Sequence, residues 1–342
     1  MAKSRTNSAR AGCWGGLLTL LGLLIIAAGL GVAWARRQVA PAQAPGAKLR
    51  LVSIAPGASL REASALLAAR GLVRSRYSLQ IAALLAGGAQ IEPGVYAISG
   101  SEPAGRILLQ LEGGKTATVR VTFPEGFTLR QVAERLQRHG LGSAAQIAHL
   151  ARTQGRTFHC ADGFTPPADM EGYLFPETYD FTPGETPRAV LATMLGRFDQ
   201  VVVQAHPRVT DWRKPVIVAS LVEREAKSER DRPRIASVLY NRLKIGMPLQ
   251  VDATVEYALP AHKARLLDSD LRTPSPYNTY LHRGLPPGPI CNPGLPSIEA
   301  ALHPTSAPYL YYVAAPDGSS IFSRTLADQD RNIARVRSQQ PS

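Results

Sequence analysis

Glu223 and Glu225 close the run Val216-Ile-Val-Ala-Ser-Leu-Val-Glu-Arg-Glu225, the most informative stretch of the chain, and the question it poses is which of the two could do acid–base chemistry. Val218, Leu221, Val222 and Glu225 stand at i, i+3, i+4 and i+7, the spacing of one helical face. That spacing carries a carboxyl group onto an apolar stripe. Burial withholds water from the charged form and so raises the pKa of a carboxylic acid. A glutamic acid still protonated near neutral pH is what a general acid needs in order to protonate a leaving oxygen. Glu223 is rotated roughly 200° away, so the two carboxyls are not expected to pair, and Glu223 is expected to point away from the chemistry. The pattern alone leaves open that Glu225 ends an amphipathic helix and bends out to solvent, the commoner fate of a carboxylate.

Further segments follow in a fixed order: Ser228-Glu-Arg-Asp231, Ser237-Val-Leu-Tyr-Asn-Arg-Leu243, Ile245-Gly-Met-Pro-Leu-Gln250, Asp252, Tyr277-Asn-Thr-Tyr280, Gly284-Leu-Pro-Pro-Gly-Pro-Ile-Cys-Asn-Pro-Gly294 and Ala301-Leu-His-Pro304. Together with Ala219–Glu225 they resemble the YceG-like family of membrane-anchored endolytic murein transglycosylases, from about Leu49 to the C-terminus. The resemblance implies that the second Glu of a Glu-x-Glu signature is the catalytic acid. That residue is Glu225, which the helical face picks independently.

The implied reaction is lytic cleavage of the β-1,4 bond between N-acetylmuramic acid and N-acetylglucosamine in nascent peptidoglycan strands, ending their elongation. One Glu protonates the glycosidic oxygen, then takes the proton of the muramic acid's C6 hydroxyl as a 1,6-anhydro ring closes. Water is not a reactant, so no second carboxylate and no cofactor are needed. Tyr277, Asn278 and Tyr280 offer a stacking face, an amide and a hydroxyl to a sugar. Asn292 stands at the end of the Pro-rich run, and Asp252 is the acid best matched for a place beside Glu225. All five are candidate substrate-binding residues. A hydrolytic muramidase is the nearest rival, with Asp252 as the second carboxylate at the ~5–9 Å spacing glycosidases use. A non-catalytic cell-wall-binding scaffold is the rival of another class. The chain departs from the family in reading Asp252-Ala-Thr254 for Asp-Pro-Thr, and in carrying Ser320 and Gln329 where His is common.

The elements that must position these residues read as an α+β chain with one N-terminal transmembrane helix. Residues 1–11 form a short basic tail, expected to be cytoplasmic, and an uncharged apolar run covers 12–35, longer than the ~20 residues needed to span a bilayer. Ala33-Trp-Ala35 leaves a cleavable signal peptide open, but the apolar core exceeds the usual ~7–15 residues of such a peptide. An inner-membrane, single-pass anchor with the catalytic domain outside is therefore expected. Residues 36–48 read as a Pro/Ala linker.

Beyond the linker, Val52-Ser-Ile-x-x-Gly57-x-Ser59-Leu-Arg-Glu62 recurs as Val121-Thr-Phe-x-x-Gly126-x-Thr128-Leu-Arg-Gln131, two strand–turn–helix units with capping boxes. The first belongs to a β-α-α-β module over 49–115 that resembles a LysM domain, a glycan-binding fold, with a plain spacer as the alternative. The second opens a mixed α+β catalytic domain over 116–342. Within it, Glu171-Gly-Tyr-Leu-Phe-Pro-Glu-Thr-Tyr179 is either a cleft segment or a packed loop. Tyr277–Gly294 reads as a long ordered loop, and Tyr309–Ala314 with Ser320–Ser323 as a hairpin.

The formal charge of +13 is spread along the chain with no basic helix or aromatic-interleaved patch, which argues against nucleic acid and suits anionic lipid or an acidic wall polymer. Three Cys are too few for a disulfide scaffold; Cys160 and Cys291 either pair or remain separate thiols. The seven His are scattered, and no metal is expected. Implied partners are peptidoglycan strands, the membrane and the peptidoglycan synthases of the elongation machinery. If the apolar run is an uncleaved anchor, N-terminal sequencing of the membrane-extracted protein will read from the start of the chain; a mature terminus at Arg36 would show it to be a signal peptide.

Overall fold

The computed structural model describes residues 8–160, 163–261, 263 and 266–338, with residues 8–18 by backbone alone. The start of the expected tail, residues 1–7, lies outside the described residues. Contacts divide the chain into two compact units after Thr118, and each is mixed helix and strand.

The first unit opens with helix α1 (Ser8–Val39). Its segment Thr19–Val39 is 21 residues long and apolar enough to cross a membrane, and Leu23, Ile25, Ile26 and Leu30 are all exposed. The helix runs past the expected end at Ala35, because Arg36, Arg37 and Gln38 favour helix and the first proline comes only at Pro41. The stretch expected to be a free linker is tied down: the Gln43 backbone N–H donates to Gly100 O at 2.8 Å and its side chain to Gly71 O at 2.8 Å. Strands β1 (Arg50–Ile54) and β2 (Gly94–Ile98) pair antiparallel with Val52 opposite Tyr96. Helices α2 (Leu60–Ala69) and α3 (Ser78–Ala86) lie between them in sequence. A third helix, α4 (Ala104–Glu112), was not anticipated, because Pro103 and Gly105 read as turn residues. Its Ile107, Leu108 and Leu111 share a core with Val52, Leu67, Leu72 and Tyr96.

The second unit contains β3 (Val119–Thr122), α5 (Leu129–Arg138), α6 (Ala144–Thr153), β4 (Thr178–Phe181), α7 (Pro187–Phe198), α8 (Arg213–Glu225), α9 (Arg232–Lys244), α10 (Asp252–Ala258), α11 (Leu295–Leu302), β5 (Tyr311–Ala314), β6 (Ser320–Ser323) and α12 (Leu326–Ser338). β3 pairs with β4 and β5 with β6, both antiparallel. The repeated capping boxes form in both units: Ser59 and Thr128 accept from the N3 backbone while Glu62 and Gln131 reach back. Helix α7 ends at Phe198 and runs directly into a π-type turn over Asp199–Val203.

Helix α8 is the axis of this unit. Every residue from Val216 to Val222 is buried, so the helix is covered on all sides, chiefly by α11 and α9. Each apolar side chain so buried contributes ~1.5–3 kcal/mol. The helix stops at Glu225, where Ala226 turns extended, and Glu225 is thereby presented at the end of a rigid, central element.

Candidate active site

Glu225 is half-buried at the C-terminus of α8. Burial pushes its pKa upward, and the nearby charges of Asp252 and Glu256 push the same way; the Tyr312 hydrogen bond and the Arg224 charge pull back. The negative end of the helix dipole also disfavours a carboxylate here. The Tyr312 hydroxyl donates to Glu225 Oε2 at 2.9 Å. Burial and the Glu225 charge hold that phenol far above its ordinary pKa, so it stays protonated and can donate this bond. The other carboxyl oxygen, Oε1, has no hydrogen-bond partner among the described residues.

Tyr312 lies on β5, and its backbone carbonyl accepts from the Gln329 amide at 2.8 Å. Gln329 also accepts from Ser323 Oγ on β6, so it fixes the hairpin that carries Tyr312. The family's other departure, Ser320, donates its backbone N–H to the buried Asp231. Arg242 is buried on α9 with its guanidinium on Leu310 O at 2.7 Å and Leu249 O at 2.6 Å, within electrostatic reach of Glu225, Tyr280 and Tyr312. Neither Tyr312 nor Arg242 was singled out from the sequence. Arg242 lies inside the motif 237–243, and Tyr312 alternates with Tyr311 on the expected strand, which gives no sign of which tyrosine faces in.

Asp252 is exposed at the start of α10, and the Tyr280 hydroxyl donates to its Oδ1 at 2.5 Å. The approach to α10 is held by Thr279, whose hydroxyl accepts from Val251 N at 2.9 Å and lies 3.0 Å from the Thr254 hydroxyl. Gln250 adopts a left-handed backbone (φ 51°) to make that entry, a conformation costly for a non-glycine residue and common at functional sites. Asp252 and Tyr280 both lie within electrostatic reach of Glu225.

The remaining sequence candidates are placed differently. Asn278 is fully buried; its amide donates to Leu271 O and Thr273 O and accepts from Tyr280 N. Asn292 is equally enclosed, donating to Phe127 O and accepting from Leu174 N. Both amides bond backbone groups and so shape the loop. Tyr277 stacks obliquely on Tyr257 with ring centroids 4.9 Å apart, and belongs to a second cluster around Glu171.

Glu171 is buried, accepts from Leu129 N at 2.8 Å and from the Tyr257 hydroxyl at 3.0 Å, and is pushed up to about 8, chiefly by burial. Both of its oxygens are occupied, so it lacks the access a catalytic acid requires. The segment 171–179 is accordingly a packed turn: Tyr173, Leu174, Phe175 and Tyr179 are core residues. Gly172 (φ 89°) is required there, since a β-carbon would come within 2.6 Å of Pro289.

Glu223 lies on another face than Glu225, and that face is covered by the loop and by Arg232. Ile290 N donates to Ser220 Oγ at 3.1 Å, the Cys291 thiol to Ser220 O at 3.4 Å, and Gly294 N to Glu223 Oε2 at 3.0 Å. Arg232 of α9 donates to Glu223 Oε1 at 3.2 Å and to Ser297 Oγ at 2.9 Å. The loop 290–294 is therefore stitched along α8 from Ser220 to Glu223, one helical turn apart.

A protein-family model of the YceG-like family matches residues 52–335. The endolytic murein transglycosylase of Bacillus subtilis (strain 168) is 33% identical over 299 residues, covering 82% of this chain and 82% of that protein. The endolytic murein transglycosylase of Streptococcus pneumoniae serotype 2 (strain D39) is 29% identical over 350 residues, 93% of this chain and 64% of that longer protein. A crystal structure of a yceG-like protein of Listeria monocytogenes superposes with a TM-score of 0.57 at 30% identity, over 83% of this chain and 98% of that one.

Two outcomes follow from the buried carboxyl groups of Glu223 and Glu171. Glu223→Ala leaves Arg232, whose side chain is only 11% exposed, without its nearest acid; a loss of about 3 kcal/mol is expected in urea unfolding. Glu171 holds its proton up to about 8 when folded and to ~4.3 when unfolded. The native state then binds more protons across that window, so stability falls as pH rises from ~4.3 to about 8. Glu171→Gln should flatten that fall, read as a smaller shift in urea midpoint between acid and neutral buffer.

Proposed function

The chain belongs to the YceG-like family, and we propose that it is an endolytic murein transglycosylase in which Glu225 alone is the catalytic acid and base. The observation that carries this reading is the Glu225 carboxyl itself: raised by burial, bonded through Oε2 to a protonated phenol, and without a hydrogen-bond partner on Oε1 among the described residues. With Tyr312 donating to Oε2, the acid proton is assigned to Oε1, the oxygen left for substrate. That proton passes to the glycosidic oxygen as the C1–O bond breaks, releasing the N-acetylglucosamine 4-hydroxyl. The carboxylate so formed is stabilised by Tyr312 and takes the proton of the muramic acid's C6 hydroxyl as O6 bonds to C1. Glu225 ends protonated, the product is the 1,6-anhydro sugar, and no water is consumed.

In this reading Asp252 and Tyr280 meet the sugar as a bonded pair, and Asp252 also raises Glu225 by its charge. Tyr277 is the outermost contact, while Asn278 and Asn292 act by holding the loop. A neighbouring cavity of about 390 Å³, lined by Arg130, Arg152 and Arg224 among others, suits the carboxylates of stem peptides. The α1 span is read as a single-pass anchor in the cytoplasmic membrane with the 49–115 module and the catalytic domain outside, that module as a LysM-like glycan-binding domain, and elongation synthases as partners. The resemblance and the 21-residue apolar span support these assignments.

Digestion of uncrosslinked nascent peptidoglycan tests the proposal. Mass spectrometry should find anhydro-ended fragments, and Glu225→Gln should slow their release by ~10²–10⁴-fold; products heavier by one water would instead make the enzyme a hydrolase using Asp252. The rate should fall as pH rises through the raised Glu225 pKa, because the acid form is lost. Tyr312→Phe removes the bond that lowers that pKa, so the falling limb should move to higher pH while the rate drops.

A further inference from the structure

At the end of α11 farthest from Glu223, three side chains converge that the catalytic reading does not use. His206 follows the π-type turn at 199–203, and Glu299 and His303 stand one helical turn apart at the close of α11. Their ligand-type atoms, one from each residue, all lie within 4.8 Å of one another. His206 Nε2 is 3.0 Å from Glu299 Oε1, and His303 Nε2 is 3.8 Å from Glu299 Oε2. Spacing along the chain gives no metal signal, because His206 meets the Glu299-x-x-x-His303 pair only in the fold.

The orientation of His206 is the telling feature. Its Nδ1 lies 2.8 Å from Val202 O, the geometry of an N–H donating to a carbonyl, and its ring is packed edge-on against the buried Trp212. That bond fixes the tautomer of the neutral imidazole, with the lone pair on Nε2 and aimed at a carboxylate oxygen. Two electron-rich atoms facing each other need a cation between them, either a proton or a metal ion. A carbonyl holding the far nitrogen of a histidine is the support that metal-binding histidines use. Two imidazoles and one carboxylate are a donor set suited to zinc, with bonds of about 2.0–2.2 Å and a fourth position left for water.

We propose that His206, Glu299 and His303 bind one zinc-class divalent ion, which straps the turn 203–206 to the end of α11. The other end of that helix is held by Glu223 through Gly294 N, so the ion would clamp the element that lies along α8 at both ends. The site lies outside the proton-transfer machinery and its role is structural.

The test uses the tag-free full-length protein in detergent micelles, stripped with a chelator and titrated with Zn²⁺ by calorimetry and with Co²⁺ by visible absorption. One ion per chain, a rise in unfolding temperature with Zn²⁺ and the intense visible bands of four-coordinate Co²⁺ are expected. His303→Ala should weaken binding by at least tenfold; its side chain is 72% exposed, so the fold is unaffected. His206→Ala should abolish the Co²⁺ bands. Absence of saturable binding would overturn the proposal and leave the cluster a proton-mediated ion pair, and so would binding that survives His303→Ala unchanged.

Discussion

The structure depends on one constraint: a carboxyl group must be kept partly out of water at the end of the most buried helix in the unit. Seven consecutive buried residues from Val216 to Val222 make α8 immobile, and Glu225 inherits that rigidity. The same burial raises its pKa, so the packing that orders the helix also prepares the acid. The Tyr312 bond opposes that shift in part, and the opposition is useful, since a group that must give a proton and then accept one works best with neither form too strongly favoured.

Holding α8 in place requires the long loop before α11 to lie flat along it. Such a loop brings many backbone groups indoors, and each needs a partner. Asn278 supplies one for Tyr280 N, and Ser220 and Glu223 of the helix supply them for Ile290 N and Gly294 N, while Asn292 holds the loop to Phe127 O and Leu174 N. The cost of the buried Glu223 carboxylate is offset by Arg232, which in turn fixes α9 against α11 through Ser297. The polar residues around the site thus divide into those that face Glu225 and those that hold the walls.

The sequence made the helix and its acid legible because both follow from periodicity: Glu225 shares a stripe with Val218, Leu221 and Val222. The capping boxes at Ser59 and Thr128 were equally readable, as both are local. What stayed hidden depends on contacts distant in sequence. Tyr312 reaches Glu225 across 87 positions, and Asn292 reaches Phe127 across 165. Residue type alone could not separate an asparagine that binds sugar from one that binds backbone. That the Glu223 face is also covered could not be read from periodicity, because its cover comes from Gly294, 71 positions away. Helix α4 was missed because Pro103 and Gly105 mark its start with the residues that usually mark a turn.

The central claim is that Glu225 carries its proton above the pH at which an ordinary glutamate loses it, and that it does so because of where α8 ends. Carbon-13 NMR titration of the side-chain carboxyl, assigned by comparison with Glu225→Gln, measures this directly. The account predicts a midpoint clearly above the ordinary ~4.3, rising further in Tyr312→Phe. A Glu225 that titrates at or below the ordinary value would contradict it, for the carboxyl would then be a solvated helix end with no proton to give at neutral pH.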